Sequence, residues 1–152
     1  MADFSLSNLT DCTVYICAPL RAIRMYNLKS CSVFVGPVAG SALLYDCQGC
    51  SFSIASQQLR VHNTTDSDFY LLARSKPIIE NCDRVRFAPY NFSYAQLEEQ
   101  LEESLDVPTN FWNSVEDFNW PRIGEVSPYW SILPEEERRA TVTPPSRPSP
   151  AV

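Results

Sequence analysis

The sequence predicts an all-β fold, a right-handed parallel β-helix followed by a C-terminal helix and an irregular, aromatic-rich extension. Three observations lead there. Five segments stack on one another: LSNLTDCTVYI, MYNLKSCSVFV, LYDCQGCSFSI, VHNTTDSDFYL and IENCDRVRFAP. Their third positions are Asn8, Asn27, Asp46, Asn63 and Asn81, at spacings of 19, 19, 17 and 18 residues. Around each of them small or apolar residues alternate with polar ones, the period of strands that bury one face.

The columns of the repeat justify each part of a coil. Two positions before the Asn/Asp stand Leu6, Met25, Leu44, Val61 and Ile79; six after it stand Val14, Val33, Phe52, Phe69 and Phe87. Both columns are expected to point inward. Between them lie Thr13, Ser32, Ser51, Asp68 and Arg86, expected to point out. Asn and Asp suit a tight corner because their side chains bond nearby backbone and tolerate left-handed dihedrals. One coil cannot bury its own inner face, but coils stacked about 4.8 Å apart share a continuous core. The crossover rule for parallel strands favours the right-handed form.

The six cysteines fit the same pattern. Cys12, Cys31 and Cys50 occupy one column, four residues after the Asn/Asp, and read as a ladder of small buried side chains. Cys47-Gln-Gly-Cys50 resembles a redox or metal pair, yet no second pair has zinc spacing and the single histidine is His62. No metal and no cofactor is expected. The N-terminus MADFSLSNLT lacks the basic and apolar regions of a signal peptide, and no apolar run reaches the roughly 18 residues of a membrane span, so a reduced, cytoplasmic setting is expected.

Length and charge bound the rest. At 152 residues the chain suits one domain with a real core. Residues 1–92 form the coils and hold eight Lys/Arg against seven Asp/Glu, whereas residues 93–152 hold four against eleven. The acidity therefore belongs to the C-terminal part, and neither nucleic acid nor membrane is an expected partner. Residues 93–134 read as a helix and an extension packed on the β-helix. SYAQLEEQLEESL opens with a capping box, Ser93 and Gln96, and sets Tyr94, Leu97, Leu101 and Leu105 on one face against four glutamates on the other. Its place after the last coil suits a cap on the solenoid. NFWNSVEDFNW and SPYWSILP have no clean period and are expected to be irregular. Residues 135–152, rich in charge and then in Pro and Ser, are expected to be disordered.

Arg60 is the candidate functional residue. With Leu59 and Val61 facing inward, Gln58 and Arg60 project outward from one strand, SQQLRVH. Arg24 stands in the equivalent position of a neighbouring coil, and Arg74 and Arg86 extend a basic surface. The four glycines include neither a P-loop nor a dinucleotide fingerprint, and no Ser or Cys nucleophile lies in a recognisable elbow. A conventional hydrolase is not expected.

GPVAGS, SQQLRVHNTTDSDFYL, SKPIIENC, RFAPY, DFNW and SPYWSILPEEER resemble the tubulin-binding cofactor C family of tubulin-specific chaperones, over nearly all of residues 4–138. The resemblance implies the β-helix shared with cyclase-associated proteins and with GTPase-activating relatives that act on Arf-like GTPases. It implies that Arg60 is an arginine finger, that Gln57 and Gln58 help to position it, and that Phe118 of the Asp-Phe motif contacts the partner. The implied partner is GTP-bound β-tubulin held with cofactors D and E, and the implied protein is a monomeric GTPase activator rather than an enzyme. Members of the family carry a helical domain before the β-helix, whereas this chain begins almost on the first coil, so weakened recruitment of tubulin is expected. An activator of an Arf-like small GTPase, or a non-catalytic tubulin-binding scaffold, is the alternative.

Overall fold

The computed structural model describes residues 1–106, 109–120, 122 and 124–146. The chain forms β1 (Ala2–Thr10), β2 (Thr13–Ile16), β3 (Leu20–Lys29), β4 (Ser32–Tyr45), β5 (Ser51–His62), β6 (Thr65–Ala73), β7 (Ile78–Glu80), β8 (Asp83–Pro89), α1 (Leu97–Leu105), β9 (Glu116–Asp117) and β10 (Trp130–Ile132). Every strand pair is parallel, and the strands wind into the expected β-helix. Two ladders run along it. One is traced by Thr13, Ser32, Ser51, Asp68, Arg86 and Ser131, each in register with the next. The other is traced by Ser5, Arg24, Leu43, Arg60, Ile78 and Glu116. The long strands β4 and β5 bend and contribute to both. At the bend of β4, a Cβ on Gly40 would lie 2.7 Å from the Arg21 carbonyl oxygen, so the coils approach closely enough there to require glycine.

The corners carry the repeat. Asn8, Asn27, Asp46, Asn63 and Asn81 all have left-handed backbone, with φ between 49° and 57°. Three residues on, Asp11, Ser30, Gly49, Asp66 and Arg84 are left-handed as well, at 52° to 65°. This second set is chemically mixed, so the spacing did not reveal it. Main-chain bonds between coils offset the strain, among them Asp11 to Lys29, Ser30 to Gln48 and Gly49 to Thr65. Asn27 also donates to the Asn8 side chain at 2.8 Å.

Inside, the columns are dry. Met25, Leu44, Val61 and Ile79 are fully buried. Phe52, Phe69 and Phe87 form a stack with ring centroids 5.2 Å apart, closed by Trp130 edge-on at 5.9 Å. Such pairs contribute about 0.5–1.5 kcal/mol beyond the area they bury. The thiols are satisfied locally: Cys31, Cys47, Cys50 and Cys82 each donate to the carbonyl two residues earlier, as the buried hydroxyls of Thr64 and Ser67 do. Burial pushes the Cys47 thiol up to about 12 and raises Cys50 and Cys82 in the same direction.

The C-terminal part corrects four expectations. The helix begins at Leu97 rather than Ser93, with Gln96 at its N-cap and no side-chain cap. Ser93 lies outside the helix, its N–H bonding the Val142 carbonyl beside a bridge between Phe92 and Val142. The helix lies against β4 and β5, the middle of the stack, and does not cap its end. Nor is the extension wholly irregular: β9 continues one ladder and β10 the other, making a sixth coil. Asn119 exchanges side-chain bonding with Asn81, donating at 3.1 Å, and so occupies the corner column. The segment from Glu135 folds back in part rather than being disordered. Glu135–Glu137 form a 3-10 turn, the Arg139 N–H bonds Tyr70 Oη at 3.0 Å, and Arg138 lies over Trp112. Residues 147–152 of the expected disordered tail lie outside the described residues. Among the described residues no helix is long and apolar enough to cross a membrane.

Phe69 and Phe118 separate core from surface. Phe69→Ala is expected to lower stability by about 3–5 kcal/mol, and Phe118→Ala, at a side chain that is 55% exposed, by no more than about 0.5 kcal/mol. Denaturant unfolding of the two variants measures both.

Candidate functional site

The second half of β5 presents the candidate residues in the order that a bent strand dictates. Gln57 sits at the bend and is exposed; Gln58 is half-buried; Leu59 and Val61 are fully buried; Arg60 points out. Along its row Arg60 lies between Leu43 and Ile78, one coil to either side. Arg24 is beyond Leu43, two coils from Arg60 and so roughly 9.6 Å away along the stack. It shares the row, as expected, but is not an immediate neighbour. Glu116 stands beyond Ile78 on the other side, 3.8 Å from the Lys76 ammonium. Among the described residues, none of the ion pairs includes Arg24 or Arg60.

The adjacent row is aromatic. Tyr26, Tyr45 and His62 follow one another in register, and the Tyr45 and His62 rings stack at 4.9 Å with 11° between planes. His62 Nδ1 is 3.4 Å from a Glu80 carboxylate oxygen. Phe118 follows β9 directly, its N–H donating to the Ile79 carbonyl at 3.0 Å, and its ring is exposed. Arg60, Arg24 and Phe118 therefore belong to one ladder and one side of the molecule.

A residue that spacing did not single out completes the group. Ser75, in the loop between β6 and β7, places Oγ 2.6 Å from the Gln57 carbonyl and 3.2 Å from Gln58 Oε1. The Gln58 carboxamide also donates to the Leu59 carbonyl at 3.4 Å. A serine in a short loop carries no periodic signal, so only coordinates could bring it to the glutamines. Arg74 precedes it at the bend, where its N–H bonds the Ser56 carbonyl at 3.1 Å and its Nε is buried without a partner among the described residues.

Arg86 lies elsewhere, on the other ladder. It grips Asp68 with two bonds of 2.9 and 3.1 Å and reaches Glu137 at 3.5 Å. Arg84 beside it is held by Asp66 and Asp83, and its hydrogen bond keeps the Asp66 carboxyl below the usual range. The basic surface expected from sequence thus divides: Arg86, like Arg84 beside it, is neutralised by carboxylates, while Arg24 and Arg60 are not. Among the described residues no group of three or more His, Cys, Asp or Glu is placed to hold a metal ion.

A bent strand that carries one free guanidinium and two glutamines, on a rigid solenoid, can insert a positive charge into a pocket on another protein. Comparison with known proteins gives this arrangement a context. The family profile described as Tubulin binding cofactor C matches residues 1–118. Tubulin-specific chaperone C of Mus musculus is 44% identical over 137 residues, 90% of this chain and 40% of that protein. Tubulin-folding cofactor C of Arabidopsis thaliana is 45% identical over 144 residues, 94% of this chain and 41% of that protein. The chain thus spans about 40% of the length of these curated relatives. Among solved structures, Tubulin Binding Cofactor C from Leishmania major superposes with a TM-score of 0.77 at 30% identity, covering 92% of this chain and 96% of that one.

The two arginines should differ in what they do for the fold. Arg60→Ala is expected to change stability by less than about 0.5 kcal/mol, as surface substitutions without partners do. Arg86→Ala removes a bidentate pair and is expected to cost about 1 kcal/mol, the upper end for exposed ion pairs. Thermal unfolding at low ionic strength resolves the difference.

Proposed function

The chain belongs to the tubulin binding cofactor C family, and on that premise we propose that it serves tubulin folding as a GTPase activator, Arg60 entering the nucleotide site of GTP-bound β-tubulin. The observation that carries the reading is the free guanidinium of Arg60, exposed on a rigid rung between two apolar neighbours. A guanidinium committed to a carboxylate, as Arg86 is to Asp68, would have to break that pair before it could act.

In phosphoryl transfer, negative charge shifts over the phosphoryl oxygens and the bond to the leaving group. A planar, permanently charged guanidinium bonds two oxygens at once, which an ammonium cannot reproduce. Supplied in trans, such a group accelerates hydrolysis by about 10³–10⁵, or roughly 4–7 kcal/mol of barrier. Gln57 and Gln58 flank the finger and offer amide groups that orient it and the attacking water. Phe118 and Arg24, on the same ladder, supply an apolar contact and a second charge for the partner's surface. Cofactors D and E would hold β-tubulin during the event, and hydrolysis would accompany release of the folded dimer. Arg74, at the bend, borders this face. Arg86, on the other ladder, would contribute only to a partner that reaches around the solenoid.

Single-turnover GTP hydrolysis by tubulin with cofactors D and E tests the reading. Arg60→Ala and Arg60→Lys are both expected to lose at least about 10³ of the stimulation while retaining the thermal midpoint of the parent. Full activity in Arg60→Ala would remove the finger role. Full activity in Arg60→Lys alone would point to a scaffold that needs only positive charge.

A further inference from the structure

We propose that Ser75 is a positioning residue for the arginine-bearing strand, fixing the main chain at Gln57 and the carboxamide of Gln58 so that Arg60 is presented in one conformation. The proposal rests on the GTPase-activating reading above.

The register shows why such a residue is needed. Pairing of β5 with β6 ends at Ser56 and Ala73, and pairing of β5 with β7 resumes at Arg60 and Ile78. Gln57, Gln58 and Leu59 therefore face a four-residue loop, residues 74–77, instead of a strand. On this side the ladder supplies them no partner, although Gln58 and Leu59 remain paired to Ser41 and Ala42 on the other. The peptide units that flank the finger would be the loosest of β5, because a missing rung removes the bonds that hold a strand straight. Ser75 replaces that rung with a side chain. Its hydroxyl has one proton and two acceptors in reach, the Gln57 carbonyl at 2.6 Å and Gln58 Oε1 at 3.2 Å. The nearer acceptor takes the proton and secures the bend; Gln58 Oε1 has only a weaker share of it, and together with the carboxamide's own N–H on the Leu59 carbonyl at 3.4 Å this keeps the amide plane against the strand.

The loop that carries Ser75 is itself braced. Pro77 is buried and its carbonyl accepts from the Glu116 N–H at 2.8 Å, while Lys76 reaches the Glu116 carboxylate at 3.8 Å. The hydroxyl is thus delivered from a fixed point, and a threonine at this position would deliver the same oxygen. Alanine would remove it, leaving the coils intact, since one net hydrogen bond is worth only about 1 kcal/mol. The penalty would fall on alignment of the finger, where small displacements are expensive.

The test uses the full chain with tubulin and cofactors D and E, in single-turnover GTP hydrolysis as a function of chain concentration. In Ser75→Ala the limiting rate is expected to fall about tenfold, with the half-saturating concentration within about twofold of the parent. Ser75→Thr is expected to stay within about twofold of the parent in both. Independently of GTP, the side-chain amide signals of Gln58 in ¹H–¹⁵N spectra should move in Ser75→Ala and hold their place in Ser75→Thr. A parent-like rate in Ser75→Ala, a loss confined to half-saturation, an equal loss in Ser75→Thr, or an unmoved Gln58 signal overturns the proposal. Parent-like hydrolysis in Arg60→Ala would instead overturn the finger reading, and the Gln58 signal would still decide what Ser75 holds.

Discussion

Each coil has to rejoin the ladder in register with the coil before it, and the left-handed pair at every corner makes that return possible. An ordinary L-residue in that conformation costs roughly 1–2 kcal/mol, and across the five corners the structure meets the cost nine times, Gly49 alone being exempt. What offsets it is parallel hydrogen bonding on both sides of each turn, together with inner columns that no coil could bury alone. Asn and Asp lower the cost by bonding locally, and Asn27 on Asn8 shows the side chains linking one corner to the next. Failure at one corner would shift every residue beyond it to the wrong row, because a one-residue slip in a strand exchanges its faces.

That register also fixes what the surface can present. A side chain on a central rung inherits the stiffness of the stack, unlike one on a loop, and the row of Arg60 is continuous from Ser5 to Glu116. The bend in β5 then exposes Gln57 where strict alternation would have turned it inward. Rigidity and exposure arise from the same few residues. The gap in the ladder beside Gln57 is the one place on this strand where they conflict, and a loop hydroxyl spans it.

The parts of the fold legible in the sequence are those that repeat. Asn63 announces its corner, Val61 and Phe69 their burial, and from Val61 the outward direction of Arg60 follows. The second corner set was hidden because Asp11, Ser30, Gly49, Asp66 and Arg84 have only the backbone in common. Asn119 was hidden differently: the sixth coil interrupts its strands with a long excursion, and its inner position holds Asp117, whose carboxylate accepts from Ser127 at 2.6 Å, in place of an apolar residue. The capping box at Ser93 is a valid local signal that lost to tertiary pairing with Val142. The segment after Glu135 has the composition of a solvated tail, yet Arg138 and Arg139 find the aromatic faces of Trp112 and Phe34. Composition alone does not register that kind of complementarity.

Charge partition bears most directly on how the candidate face works. A net charge of -6 excludes broad attraction to an acidic partner, and Asp66, Asp68, Asp83 and Glu137 cancel the arginines of the other ladder. The exposed glutamates of α1, Glu98, Glu99, Glu102 and Glu103, add to the negative field against β4. On the proposed reading, Arg24 and Arg60 would act within a molecule whose long-range field opposes an acidic surface. Their effect would then have to come at short range, after water is displaced, where the effective dielectric falls and a single well-placed guanidinium outweighs diffuse surface charge. Shape and the apolar neighbours Leu43, Ile78 and Phe118 would have to bring such a partner in, because electrostatic steering would not.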